Sequence, residues 1–337
     1  MSQTAADSVA NAGHPFSPTS DEQNPPDLIL RSSDLVDFYV HKDMLSFRWT
    51  FLKNMLAFPE PRGESANPTK DGLPLVILPE PSVVLELLLV LCYPRFGVGR
   101  NLIRELGGLD AAYEAAEKYD ISGGKELIEA WLVDPRLLQT EPYRVFAIAC
   151  HRGLEHVAKL AAMATLTRPP FDPSVTDSIP EFKAITAHHL CRLQIFHHRC
   201  CDMLLWTLRE RAAAGAPDLF SPENDPCSVL WWEEESRGHV AGCGAKFHED
   251  EGGPLLESAA WFRLHLHSLE ETCVIHHDSG WIAQKVAELS PPVLMAISKC
   301  PRCVEYATNH LKTMGMEVEV KANQKFQVAV AQISFTV

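Results

Sequence analysis

Apolar positions in the first part of the chain change from the spacing of strands to that of helices. Two short apolar runs, residues 28–30 and 37–40, flank a polar turn and are typical of a hairpin of two strands. From Asp43 onward, apolar residues recur at steps of three and four, which predicts an amphipathic helix. This stripe consists of Met44, Phe47, Phe51 or Leu52, and Met55.

The mixture of strands and helices continues to Val133. Residues 75–78 form another short apolar run, and the helix predicted over residues 83–93 begins after Ser82, a good N-cap residue. Helical stripes follow at residues 106–116 and 126–132. A small β-sheet with packed helices is therefore expected over residues 27–134.

Beyond Pro135 the strand pattern gives way to helices. Two are predicted over residues 143–151 and 154–166, turning at Gly153, and a long one over residues 179–211. Further helices are expected at residues 255–272 and 282–289, and residues 325–337 alternate partly like a strand. The predicted fold class is α+β. A helical extension (residues 135–213) and a mainly α-helical C-terminal region (residues 227–337) follow the N-terminal domain.

Residues 1–26 differ from the rest in composition. They are built from Ser, Ala, Asn, Asp and Pro, with one isolated aromatic residue, Phe16. Such a segment buries too little apolar surface to offset the loss of chain entropy on ordering. A disordered tail is expected here.

The net charge of the chain and the lengths of its apolar runs argue against two classes of protein, those that bind nucleic acid and those that span a membrane. The 337 residues include 30 Lys and Arg against 44 Asp and Glu, a formal charge of −14, which argues against binding nucleic acid. No apolar run approaches the ~20 residues of a membrane span, and no secretory signal begins the chain. We expect an intracellular protein, cytoplasmic or nuclear, with no membrane partner. Its ten cysteines then serve as thiols or metal ligands.

Residues around the first predicted helix follow a known pattern. An Asp opens the first strand, a His-basic pair closes the second, a Leu lies three residues after that pair, and an aromatic-x-x-x-Met helix follows. In this chain these residues are Asp27, His41, Lys42, Leu45, Phe51 and Met55. With the elements up to Val133, they resemble the BTB/POZ domain, and the whole chain resembles BTB-containing proteins of fungi. Two departures are Trp49, where the family usually has Ser, and the long Pro-rich insertion at residues 59–74.

The resemblance implies a module that forms a homodimer through its first strand and first helix. It places Asp27 and Lys42 in a charged pocket near the two-fold axis, either as an ion pair that fixes the pairing or as a solvated surface pair. His41 is expected to be a packed, hydrogen-bonded residue. Trp49 indicates that either the dimer face or the neighbouring core is remodelled.

The expected function is non-enzymatic protein–protein interaction. By resemblance, the dimer would act as a substrate adaptor for a cullin-based ubiquitin ligase, with a cullin scaffold and an unknown substrate protein as partners. A dimeric scaffold or transcriptional co-regulator that binds no cullin is the alternative.

A cysteine and histidine pattern in the last third fits a structural zinc site. Cys300 and Cys303 form a C-x-x-C pair, and His239 and Cys243 form an H-x-x-x-C pair. Three sulfurs and one imidazole complete a tetrahedral zinc site. Cys227, His248 and Cys273 are substitute ligands.

Other interpretations of these cysteines stay open. They are inert buried thiols, or a redox pair with Cys303 near a helix N-terminus. A zinc- or thiol-dependent enzyme is disfavoured, because a closed four-ligand site has no position for water. The chain also lacks the common hydrolase, metalloprotease, phosphate-loop and dinucleotide motifs. His189 and His197 would lie ~12 Å apart on one helix, too far for one metal.

Overall fold

The computed structural model describes residues 9–19, 24–58, 68–93, 106–168, 178–212, 240, 244–247, 256–275 and 277–336. The chain divides into a first unit, Met1–Thr140, and a second unit, Glu141–Val337. Among the helices in these ranges, none combines the length and the apolar content needed to cross a membrane.

The first unit contains a five-stranded sheet. Its strands are β1 (Ala10–Asn11), β2 (Leu28–Arg31), β3 (Val36–Val40), β4 (Thr69–Lys70) and β5 (Leu73–Ile77), in the order β1-β3-β2-β5-β4. The central strands β2 and β3 form the predicted antiparallel hairpin, with Leu30 opposite Phe38. Strand β5 is parallel to β2, so the chain crosses over between them through two helices, α1 (Lys42–Arg48) and α2 (Thr50–Ala57).

Four further helices lie among the described residues of the first unit. They are α3 (Ser82–Cys92), α4 (Leu106–Lys118), α5 (Gly124–Leu132) and α6 (Pro135–Thr140). Helix α3 is buried on nearly all sides, which explains its almost uninterrupted apolar sequence. Together with Leu28, Ile29 and Leu30 of β2, none of which is exposed, it forms the core of this unit.

The described part of residues 1–26 differs from the expected disordered tail. Strand β1 pairs in parallel with β3, and the Phe16 side chain is only 2% exposed. Its ring lies 5.4 Å from that of Tyr93 and 6.1 Å from that of Phe38. The carbonyl oxygen of Phe16 also accepts a hydrogen bond from the Tyr39 amide. One buried aromatic residue and edge pairing thus order a segment whose composition predicts disorder.

A buried carboxylate connects strands of this sheet. Asp37 of β3 is fully buried and forms ion pairs of 2.6 Å with Arg31 of β2 and 2.7 Å with Lys70 of β4. The Lys70 ammonium also donates to the Asn11 side chain of β1. Burial opposes ionisation of Asp37, but its two cationic partners outweigh burial and hold its pKa below the usual value.

The second unit is mainly helical. Its elements are α7 (Pro142–Arg152), α8 (Glu155–Thr165), a 3-10 helix (Pro180–Ala184), α9 (Ala187–Ala212), β6 (Gly244–Phe247), β7 (Leu256–Ala259), α10 (Ala260–Ile275), α11 (Ser279–Ala287), α12 (Pro291–Ile297) and α13 (Pro301–Gln332). Strands β6 and β7 form an antiparallel pair. Gly153 closes α7 in the left-handed conformation, at φ 69°, and lies at the predicted turn.

Three predicted elements of this unit differ in the structure. Residues 325–332, predicted as a strand, continue α13, because Ala322, Phe326 and Ala329 are buried at helical spacing. Strand β7 precedes α10 where one helix is predicted over residues 255–272. The helix predicted from residue 179 begins as the 3-10 helix, and α9 starts only at Ala187.

Helices α11 and α13 approach closely at Gly315. A Cβ atom at this position would collide with the carbonyl oxygen of Ala283 in α11. Gly315 therefore permits a backbone-to-backbone contact that any larger residue would obstruct.

Candidate interaction site

The two most exposed large apolar side chains of the described first unit, Phe47 and Phe58, lie in or next to helices α1 and α2. Phe47 is 84% exposed and Phe51 is 46% exposed, and Phe58, directly after α2, is 74% exposed. Three exposed phenylalanines within one short stretch are unusual for a surface in contact only with water. We call Phe47, Phe51 and Phe58 the phenylalanine surface.

A break between the two helices positions this surface. Trp49 is fully buried, separates α1 from α2, and forms an isolated β-bridge with Ile121. The Ser122 amide donates to the carbonyl of Arg48, and the rings of Trp49 and Tyr119 lie 5.4 Å apart. The helix pair is thus anchored at its centre on the turn after α4.

The apolar stripe predicted for this region agrees with the fully buried residues only at Leu52, the alternative to Phe51. Leu45, Trp49 and Leu52 are the fully buried residues, whereas Phe47 of the predicted stripe faces outward. Both sets have helical spacing, so periodicity alone does not separate them. Trp49 decides between them because its large side chain occupies the core.

Asp27 and Lys42 lie close together, but through the backbone. The Asp27 carboxylate accepts a hydrogen bond of 2.8 Å from the Lys42 amide, at the first residue of α1. The contact therefore caps the N-terminus of α1 rather than joining the carboxylate to the Lys42 ammonium. A place for these residues at a two-fold axis stays a prediction.

His41 is packed and hydrogen-bonded, as expected. Its amide donates to the Tyr93 hydroxyl at 2.8 Å, and its Nε2 lies 2.8 Å from the carbonyl oxygen of Asn24. Burial raises the pKa of Tyr93 to about 12, so this hydroxyl stays protonated. These contacts join the start of α1 to the end of α3.

The described half of the predicted zinc site lies at the start of α13. Cys300 is the N-cap residue and Cys303 lies in the first turn, and each is 1% exposed. The indole N–H of Trp261 donates to the Cys303 sulfur at 3.3 Å. The two thiols therefore lie on one turn, beside an indole donor from α10.

The other predicted ligands, His239 and Cys243, lie outside the described residues, as do Cys227 and His248. Within the described ranges, no three or more His, Cys, Asp and Glu side chains form a group that could hold a metal ion. The substitute ligand Cys273 is buried in α10, where its carbonyl accepts from the Cys201 thiol.

The histidines of α9 have structural contacts, as expected. His197 is buried, and its Nε2 lies 2.8 Å from the Thr165 hydroxyl. The His189 ring accepts from the Thr186 amide near the start of the helix.

The apolar stripe predicted for the first helix includes Phe47, and the solvent exposure of the phenylalanine surface became evident only in the folded unit. The available signal was Trp49, whose size competes with Phe47 for the interior. Comparisons of the chain with protein-family models, with curated proteins and with solved structures found no match.

Proposed function

We propose that the protein is a non-enzymatic interaction protein whose first unit forms a homodimer through the phenylalanine surface. The observation that carries the proposal is the 84% exposure of Phe47 on a helix whose other face is well packed. A two-fold axis at this surface brings together the same patch of both protomers, so each phenylalanine ring is buried in both copies. Full burial of one phenylalanine contributes roughly 1.5–3 kcal/mol, so a few such rings drive association.

Local charge on this face differs from that of the chain as a whole. Helices α1 and α2 contain three basic residues, Lys42, Arg48 and Lys53, and one acidic residue, Asp43. The chain as a whole has a formal charge of −14. Because two copies of this basic face repel each other, the proposed pairing depends on burial of the phenylalanine rings and not on charge.

The adaptor role in a cullin-based ubiquitin ligase rests on the resemblance of residues 27–133 to the BTB/POZ domain. In that role the first unit would pair and dock the cullin, and the second unit would hold a substrate protein. A structural zinc ion bound by Cys300 and Cys303 with His239 and Cys243 would stabilise the second unit. These functions need binding geometry and no reaction by this chain.

Sedimentation of the full chain over a range of concentrations tests the pairing. We expect a dimer for the wild type and a large shift toward monomer for Phe47→Ser. Met295→Ser is the matched control, because Met295 is 70% exposed in the second unit. A wild type that stays monomeric, or a Phe47→Ser variant that pairs normally, would refute the proposal.

Affinity purification from the native cell tests the adaptor role separately. A cullin recovered at near-equal amount from wild type supports it. Self-association with no cullin would remove the ubiquitin-ligase part and leave the pairing intact. Metal analysis of wild type beside Cys300→Ser tests the zinc ion, which is rejected if neither purified form contains zinc.

A further inference from the structure

The segment that follows α13, residues 333–336, packs with a bend at Phe335 in a groove between side chains of α7, α8 and α9. Phe335 is fully buried there, and its ring packs edge-on against Phe146, at 5.4 Å, and Phe196, at 5.9 Å. A single aromatic side chain thus anchors the segment between two helices.

The backbone of this segment is bound by side chains rather than by other backbone groups. The Glu155 carboxylate accepts from the amides of Phe335 and Thr336, both at 3.0 Å. Arg192 donates to the carbonyl oxygen of Ser334, and the Cys150 thiol contacts that of Phe335 at 3.8 Å. Four consecutive backbone groups therefore have side-chain partners.

Glu155 also selects for hydroxyl side chains. Its carboxylate accepts from the Thr336 hydroxyl at 2.8 Å and from the Ser334 hydroxyl at 3.4 Å. Burial disfavours the charged form, but hydrogen bonds from Thr336 and Phe335 outweigh burial and hold the pKa of Glu155 below its usual value. The carboxylate lies at the first residue of α8 and is ionised where the segment binds.

We propose that this groove is a peptide-recognition site that the chain occupies with its own residues 334–336. The ligand class is a short peptide segment of a partner protein, with a phenylalanine flanked by Ser or Thr. Hydrogen bonds to the peptide backbone give affinity, and a pocket for one aromatic side chain gives specificity. The segment in cis competes with a partner's peptide at high effective concentration, so the site opens only when the segment is released. This inference does not depend on pairing through the phenylalanine surface.

The test uses the full chain with Phe335→Ala, which empties the aromatic pocket and keeps the groove. The probe is a fluorescein-labelled peptide, AQISFT, with the sequence of residues 331–336. Fluorescence anisotropy should show saturable binding to Phe335→Ala. Binding should be at least about tenfold weaker to the wild type, and to Phe335→Ala combined with Glu155→Gln, which lacks the charged acceptor.

The peptide AQISAT is the matched control and should not bind. A folded Phe335→Ala chain that does not bind AQISFT, or that binds both peptides equally, would overturn the proposal.

If Phe335→Ala does not fold, hydrogen exchange on the wild type tests the proposal instead. We expect the amides of Phe335 and Thr336 to exchange by local opening, faster than those of α7. Exchange of these amides only together with α7 would show that the segment is a permanent part of the core, and would refute the proposal.

Discussion

The two units bury different kinds of polar side chain. In the first unit the described charged side chains that are buried are carboxylates with cationic partners. Asp37 pairs with Arg31 and Lys70, and Glu80 pairs with Lys118 at 2.7 Å. Each buried charge is thus compensated, as the cost of desolvating an ion requires.

The second unit buries imidazoles and, apart from Cys92 of the first unit, all the described buried thiols. Among its described residues, three histidines and several cysteines are buried, namely His197, His265, His277, Cys150, Cys200, Cys201, Cys273, Cys300 and Cys303. Burial raises the pKa of the Cys150, Cys200 and Cys273 thiols to about 12. Burial, aided by the neighbouring His277, lowers the pKa of His197 to about 3. The thiols of Cys150, Cys200 and Cys273 and the imidazole of His197 are therefore buried in their neutral forms.

The difference predicts opposite weaknesses. The first unit depends on keeping both partners of an ion pair, and the second on keeping its groups uncharged. Mutation of one charged partner should therefore harm the first unit most, whereas mild acid should harm the second.

The largest effect is expected for Asp37→Ala, which leaves the Arg31 and Lys70 cations without their shared partner. The free energy of unfolding should fall by about 3 kcal/mol. Urea unfolding of the full chain measures this loss of stability. Proteolytic fragments from the first unit report when that unit unfolds. Asp43→Ala, at an exposed position of α1, is the control and should change stability by less than about 0.5 kcal/mol. Equal effects would show that the Asp37 pairs contribute nothing specific.

Mild acid should destabilise the second unit through His197. The unfolded chain binds a proton there below the ordinary pKa of 6.5, whereas the folded unit does so only near 3, so stability is lost as pH falls below 6.5. The loss is about 2 kcal/mol at pH 5. Asp37 loses its contribution to stability only at lower pH. Because its pKa is lowered in the folded unit, that contribution is kept until the pH falls below 3.8, the ordinary pKa of an aspartate.

Proteolysis in urea at pH 7 and pH 5, with fragments identified by mass spectrometry, separates the two units. His197→Gln should remove most of the acid sensitivity of the second unit. His198→Gln, at a side chain that is 80% exposed, should leave it unchanged. An equal loss of stability in both units between pH 7 and pH 5 would contradict the difference proposed between them.

A smaller effect is expected for Gly315→Ala, which tests packing in the second unit without altering charge. The added Cβ forces α11 and α13 apart, and after the gain in helix propensity the net cost should be about 1–2 kcal/mol. Thermal unfolding provides the measurement. Gly13→Ala, where a Cβ would have nothing within 4 Å, serves as the control. Unchanged stability in Gly315→Ala would mean that the helices adjust freely.

The smallest effect is expected at the start of α1. Asp27→Ala removes the acceptor for the Lys42 amide and should cost about 1 kcal/mol. Lys42→Ala keeps that amide and should cost less. Chemical denaturation of both variants checks this order, and a reversed order would restore the ion pair that the sequence suggested.

Local patterns were sufficient to predict the hairpin of β2 and β3 and the turn between α7 and α8. Both depend on neighbouring residues, including Gly153, whose conformation favours glycine. Strand β1 could not be predicted in this way, because its two residues acquire order only from β3 and the pocket that holds Phe16.

At the candidate sites, too, local sequence patterns did not predict contacts between residues that are distant in sequence. Periodicity located the helix that contains Phe47 but not the face that its side chain occupies. The proximity of Asp27 to Lys42 followed from resemblance, while the atoms that join them became evident only in the folded chain. Glu155 had no sequence signal, because its ligand is a segment that is distant in sequence.

The parallel pairing of β2 with β5 has a consequence for folding kinetics. Ile29 pairs with Leu75, so this contact closes a loop that contains both α1 and α2. Closing this loop costs chain entropy before the strand contact forms. Pairing of β2 with β5 is therefore slow compared with packing of the neighbouring helices α7 and α8. On the ribosome, β2 is synthesised well before β5. Until β5 emerges, one edge of β2 is open to strands of other chains, and this interval is when the nascent protein most needs protection from aggregation.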